Sequence, residues 1–176
     1  MAKKIARQPP RYSEGGGLFF LTFCTYHRTP ILHDEGIPEL LIRSFKFYGK
    51  RLKELIAYTI MPNHLHLLVD VETIEQVSAF LRDFKKYTSK EIKRLKGFSQ
   101  QHVWQRGTMD HCIRFSWENK DMKHHVHYLF YNSWKHLHIR PKDFPYHNFH
   151  SIVKRGWIDE DFCDFPDSQF HFEIYE

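Results

Sequence analysis

The run Met61-Pro62-Asn63-His64-Leu65-His66-Leu67-Leu68-Val69-Asp70 limits the fold more than any other segment. Pro62-Asn63 reads as a turn, and the apolar, β-rich residues after it read as a strand, so the chain must build a sheet. Residues two apart on a strand point the same way, which puts the His64 and His66 imidazoles side by side on one face. The chain has 14 histidines, and the same spacing recurs at His125/His127 and His136/His138. Those pairs lie in a stretch that reads as helix, where positions i and i+2 diverge around the axis. His64 and His66 are therefore the pair placed to converge on one ion.

A second segment, His124-His125-Val126-His127-Tyr128-Leu129-Phe130-Tyr131-Asn132, places a phenol and a carboxamide four residues apart on one helix face. Two imidazoles, an amide oxygen and a tyrosine are the parts needed for metal-assisted attack of tyrosine on a phosphodiester. Imidazole binds several divalent ions, while an amide oxygen and water suit Mg²⁺ or Mn²⁺. His64, His66 and Asn132 would supply three ligands and leave positions open for water and a phosphate oxygen. Tyr128 would attack phosphorus, and a phosphotyrosine product keeps the phosphodiester energy, so rejoining needs no ATP. His125 and His124 share the Tyr128 face and are candidates for handling protons. Taken singly, each feature has a structural reading: a satisfied histidine pair, a core tyrosine beside Phe130, Tyr131 and Trp134, a solvated lysine face.

The remaining elements follow from periodicity. Leu18 to Tyr26 is a continuous β-branched and aromatic run and predicts a strand. Pro38 to about Leu52 predicts a helix with proline in its first turn. Leu55–Ile60 and Leu65–Val71 predict two strands. Thr73 with Gln76 three residues on resembles a capping box that opens a helix to about Leu95, stopped by Gly97. Cys112 to Phe115 predicts a short strand, Ser116 a cap, and Trp117 to Trp134 a helix, with a short helix near His150 to Lys154. Helices covering one face of a small antiparallel sheet, a ferredoxin-like α+β sandwich, is the economical arrangement.

Length and charge narrow the partners. A chain of 176 residues without internal repeat or linker is expected to form a single domain over 1–176. Residues 1–16 read as a flexible basic arm ending in Gly15-Gly16-Gly17, and residues 158–176 as an acidic tail. Every Lys and Arg lies at or before Arg155, so residues 1–157 carry a net charge of +12 against +5 for the whole chain, which suggests a polyanion partner. The predicted helix after Thr73 carries Arg82, Lys85, Lys86 and Lys93 toward such a partner, with Arg106 and Arg114 as a second basic side. Cys24, Cys112 and Cys163 show no zinc spacing and are expected to be reduced. With no apolar run of membrane-spanning length and no signal-peptide core, the expected compartment is the cytoplasm.

Together these segments resemble the REP-associated tyrosine transposases, a family of small single-strand transposases. Met-Pro-Asn-His64-Leu-His66-Leu-Leu-Val is similar to their His-hydrophobic-His motif, and Asp121 through Tyr128 to Asn132 to their tyrosine helix. Gly16-Gly17 before Phe19-Phe20-Leu21-Thr22 also matches, as do Trp104-Gln105 with Asp110-His111-Cys112-Ile113-Arg114, and Phe144-Pro145-Tyr146 with Val153-Lys154-Arg155-Gly156. The resemblance implies Tyr128 as nucleophile, His64, His66 and Asn132 as metal ligands, and hairpin-bearing single-stranded DNA as substrate. It further implies a 5′-phosphotyrosine intermediate, recognition of a short flanking sequence by Arg11, Tyr12, Gly15, Gly16 and Gly17, and a monomer rather than a homodimer. The chain departs from the family at Asn132-Ser133, where relatives carry Asn-Pro, and at Ser13-Glu14, where they are more basic. Two other readings stand beside this one: a non-catalytic single-strand-binding protein derived from such an enzyme, and a metal-dependent hydrolase that uses water while Tyr128 merely packs.

Overall fold

The apolar run that follows the glycines forms the first strand, β1, Gly17–Cys24. The computed structural model describes residues 16–97, 102–113 and 120–164. After β1 come α1 (Ile37–Tyr48), β2 (Glu54–Ile60), β3 (His64–Val71), α2 (Ile74–Lys96), β4 (Met109–Ile113), α3 (Lys120–Leu137) and the short α4 (Phe149–Val153). The four strands form an antiparallel sheet in the order β2-β3-β1-β4. This is the expected ferredoxin-like α+β sandwich.

Strand alternation divides the apolar residues between two faces. Phe19, Leu21 and Phe23 of β1, with Leu65, Leu67, Val69 and Val71 of β3, pack against Ile37, Leu40, Leu41 and Phe45 of α1 and Val77, Phe80, Leu81, Phe84 and Ile92 of α2. The sequence reading places every helix, that of Trp117 to Trp134 included, on this one face; the structure puts only α1 and α2 here. The structure adds a second layer on the other face, where α3 and α4 cover Leu18, Phe20, Ile56, Leu68 and Ile113. Leaving those five side chains in water would cost on the order of 10 kcal/mol, so the second face needs a cover as much as the first. A bulge between Leu55 and Ala57 turns both Ile56 and Ala57 toward this second core.

The outer edge of β2 is closed. The Asn148 amide accepts from the Tyr58 N–H at 3.0 Å and donates to the Ile56 carbonyl at 2.8 Å, and the Ile60 N–H donates to the Tyr146 carbonyl at 2.9 Å. At the start of β1, a Cβ on Gly16 would sit 1.9 Å from the Val71 carbonyl oxygen, so glycine there is required by the end of β3. Gly97 stops α2 as predicted, at φ 63°. Several boundaries differ from the sequence reading: β1 ends at Cys24, with Tyr26 in a 3-10 turn, and β4 starts at Met109. Helix α1 ends at Tyr48, and a 3-10 turn over Gly49–Arg51 carries the chain to buried Leu52. At the start of α2 the Thr73 side chain makes no capping bond and pairs with the Glu75 carboxylate, while Gln76 accepts from the Glu72 N–H at 2.8 Å. Arg114, Phe115, Ser116 and Trp117 lie outside the described residues. Cys24, Cys112 and Cys163 form no disulfide, and among the described residues no helix is long and apolar enough to cross a membrane.

Candidate active site

His64 and His66 stand on the face of β3 that α3 covers, since Leu65 and Leu67 take the alternate positions in the first core. Both rings are buried, with centroids 4.8 Å apart. Each is held by its Nδ1: the His64 nitrogen lies 2.7 Å from Asn63 Oδ1, and the His66 nitrogen lies 2.8 Å from Thr22 Oγ1. Thr22 is the register partner of His66 across β1 and β3. The Asn63 oxygen accepts from His64 Nδ1, and the Thr22 hydroxyl accepts from His66 Nδ1 in the tautomer that leaves both Nε2 atoms with lone pairs.

Helix α3 brings the other two residues to the same place. The fully buried Asn132 donates from Nδ2 to the Tyr128 carbonyl at 2.7 Å, which fixes the amide so that Oδ1 points away from the helix backbone. The Tyr128 ring is 2% exposed and meets His66 edge-on at 5.5 Å. Phe20 of β1 packs on both, 5.3 Å from His66 and 6.1 Å from Tyr128.

His64 Nε2, His66 Nε2 and Asn132 Oδ1 are buried and lack hydrogen-bond partners. Orphaned buried polar atoms are costly. Here two nitrogens and one oxygen gather from a strand and a helix, a donor set that suits a divalent cation. Burial is the largest influence on both rings: it pushes His64 down to about 4, helped by His136, Arg28 and Lys135, and holds His66 well below the usual histidine range, helped by His64. Asn132 opposes the effect at both. At neutral pH both rings are therefore uncharged.

The rim of the site is cationic. The Lys135 ammonium lies 5.5 Å from the Tyr128 ring centroid, and the His136 ring lies 5.7 Å from that of His64. Arg28 reaches the same region electrostatically from the turn after β1. A second group of metal-capable side chains, His111, Asp121 and His125, has its ligand atoms within 4.8 Å of one another. The His111 and His125 rings stack at 4.9 Å with planes only 12° apart, so their in-plane lone pairs run parallel instead of converging. His125 Nδ1 is also committed to the Asp121 carbonyl at 2.8 Å and carboxylate at 3.0 Å. His125, a candidate proton handler by sequence, is thus oriented by Asp121 and packs on Phe20 at 5.1 Å.

A family model described as "Transposase IS200 like" matches residues 19–111, more than half of the chain. The chain belongs to the IS200-like transposase family. It is similar to a protein of Haemophilus influenzae assigned as a REP-associated tyrosine transposase, 29% identical over 90% of this chain and 94% of that one. It is also similar to the REP-associated tyrosine transposase of Escherichia coli, 28% identical over 83% of this chain and 84% of that one. A solved structure of a REP-associated tyrosine transposase bound to a REP hairpin superposes with a TM-score of 0.73 at 25% identity, covering 97% of each chain. The resemblance read from the motifs is borne out.

In this IS200-like transposase the expected DNA-contact residues occupy separate regions. Gly16 and Gly17 lie at the Val71 end of β1, while Cys24 at its other end pairs with His64, roughly 23 Å away along the strand. Arg82 and Lys86 are exposed on α2, and Lys93 is half-buried there. Helix α2 packs on the sheet face opposite to Tyr128. Lys85 is engaged inside the protein: it donates to the Gly107 carbonyl at 2.7 Å and Thr108 Oγ1 at 2.9 Å, and burial pushes it down to about 8. Arg106 is exposed beside Tyr26 and Trp104. Arg11, Tyr12, Gly15 and Arg114 lie outside the described residues. Thr22, Asn63, Lys135 and His136 were not singled out from sequence; only Asn63, next to His64, had a local signal.

Proposed function

We propose that this chain is a metal-dependent transesterase that cuts and rejoins hairpin-bearing single-stranded DNA, with Tyr128 as nucleophile and His64, His66 and Asn132 as ligands to Mg²⁺ or Mn²⁺. The observation that carries this reading is the convergence of three orphaned, buried donor atoms beside a buried tyrosine. A bound divalent cation would draw charge from a phosphoryl oxygen and so stabilise the five-coordinate transition state.

The protein's own residues do the rest. Asn63 accepts from His64 Nδ1 and Thr22 holds His66 by its Nδ1, which leaves both Nε2 atoms to face the proposed ion. The Lys135 ammonium, 5.5 Å from the Tyr128 ring centroid, places a positive charge beside the nucleophile and the phosphate it would attack. The phenolate oxygen bonds to phosphorus, the bond from phosphorus to the 3′ oxygen breaks, and that oxygen leaves as a hydroxyl after taking a proton. The 5′ end stays on Tyr128, and the reverse reaction rejoins the strand.

The test incubates the protein with Mg²⁺ and a labelled hairpin oligonucleotide carrying single-stranded flanks. A denaturation-resistant protein–DNA adduct is expected, lost on chelation and lost in Tyr128→Phe, whose hairpin binding should stay within a few-fold of the parent. Cleaved DNA with no adduct would assign the attack to water. Binding with neither cleavage nor adduct would make the chain a single-strand-binding protein.

A further inference from the structure

Beyond the end of β1, on the far side from His64, the chain builds a cavity of about 430 Å³ lined by Tyr26, His102, Trp104, Gln105 and Arg106. That volume is in the range of small-ligand pockets. Its wall is fixed: the Tyr26 N–H donates to the Val103 carbonyl at 2.7 Å, the Gln105 N–H donates to the Cys24 carbonyl at 2.9 Å, and Thr25 pairs with Trp104. Trp104 is locked by its Nε1 donating to Thr88 Oγ1 at 3.0 Å and by edge contact with Phe23 at 5.3 Å. Tyr26 itself is 40% exposed, so its ring is open to a stacking partner, and the His102 ring lies 5.5 Å from it.

The turn that presents Tyr26 is strained. His27 and Arg28 both take φ of 53°, left-handed backbone at two successive residues that are not glycine. Three hydrogen bonds hold it: the Thr25 N–H donates to the Asn63 carbonyl at 2.9 Å, Thr29 Oγ1 donates to the Tyr26 carbonyl at 2.8 Å, and the single Thr25 hydroxyl proton is shared between the Thr29 and Asn63 carbonyls, 2.8 and 3.0 Å from its oxygen. The same turn is thereby tied to the residue before His64. It faces Tyr26 into the cavity and carries the Arg28 charge that His64 and His136 sense. Cys24 pairs with His64 on one side and accepts from Gln105 on the other, so cavity and ligand pair are two strand spacings apart, roughly 10 Å.

We infer that this cavity is a nucleobase site, which takes one unpaired base of the DNA strand beside the phosphate that Tyr128 attacks. The inference rests on the proposed strand-cutting reading and adds a subsite to it. A tyrosine ring offers the stacking surface that any base accepts, and an amide and a guanidinium at the rim match the hydrogen-bonding edges of a base. Arg28 and Lys135 supply the positive field for the phosphate joining that base to the reacting centre. A base held in a duplex does not reach into such a cavity, so the occupant is single-stranded DNA flanking the hairpin.

The test is a coupling experiment. Hairpin oligonucleotides with single-stranded flanks, made abasic at one flank position at a time, are titrated by fluorescence anisotropy against the parent, Tyr26→Ala, Tyr26→Phe and Arg106→Ala. At one position the abasic change should weaken parent binding roughly tenfold, within the range of one stacked base. Tyr26→Ala should lose about the same on intact DNA and lose nothing more on that abasic DNA, while Tyr26→Phe keeps the parent's pattern. Penalties that multiply at every position, or Tyr26→Ala binding intact DNA like the parent, would overturn the site. Adduct formation in the same samples separates the two readings: coupling without a parent adduct keeps the base site and removes the cutting, and a parent that binds no hairpin DNA removes both.

Discussion

Thr22 Oγ1 lies 2.8 Å from His66 Nδ1 across the β1–β3 register. A threonine directly opposite on the neighbouring strand thus anchors the ring of a proposed metal ligand through Nδ1, and its methyl group needs no change for the hydroxyl to be removed. Thr22→Val should lower Mn²⁺ affinity 10- to 100-fold, the usual cost of losing such a support, with little change in circular dichroism. Calorimetric titration with Mn²⁺ reads this directly. Parent affinity in the variant would show that packing alone orients the ring.

Lys85 and Lys86 are neighbours with different jobs. Lys85 donates to Gly107 and Thr108 and lies 4.9 Å from the Phe23 ring centroid, so Lys85→Glu removes two hydrogen bonds and sets a carboxylate against two oxygens. The unfolding midpoint should fall by roughly 5–10 °C. Lys86→Glu, on the exposed face, should leave it within about 2 °C.

The exposed α2 cations test the path of the DNA. If the backbone tracks this helix, reversing Arg82 and Lys86 together should weaken binding to all hairpins alike and reduce the slope of log affinity against log salt by about one to two. Adduct yield at saturating DNA should not change, because α2 and Tyr128 lie on opposite sheet faces. An unchanged slope would place the path elsewhere, over the glycine arm and Arg106.

Acid should unfold the protein through histidines held neutral. Burial pushes both His127 and His147 down to about 4. In the unfolded chain they titrate near 6.5, so between those values the unfolded state binds more protons. The stability they contribute is fully present above about pH 6.5 and is lost as pH falls toward 4. Denaturant midpoints measured from pH 7.5 to 4.5 should decline steadily, and His147→Gln should flatten the decline.

Much of the site was legible because its parts are local. A two-residue strand spacing and a four-residue helix spacing were enough to put His64 beside His66 and Tyr128 beside Asn132 on shared faces. Thr22 was not legible: it lies 44 residues from His66, and only the strand register brings them together. The second helical layer was missed for a similar reason, since the unbroken apolar run of β1 does not say which face lacks a cover. Lys85 read as a surface charge because its helix is lysine-rich. Its partners sit on a loop more than twenty residues away whose return to α2 has no local signal.

In β3 the histidines and leucines alternate, so one strand serves two faces with opposite needs. A slip of a single residue against β1 would drive both imidazoles in among the phenylalanines of α1 and α2 and turn Leu65 and Leu67 toward Tyr128. Such a misfolded chain would lose its core and its chemistry in the same step. A cell carrying this protein therefore has little exposure to a stable but wrongly aligned form that still holds metal. Proofreading of the alignment is written into the order of side chains along eight residues.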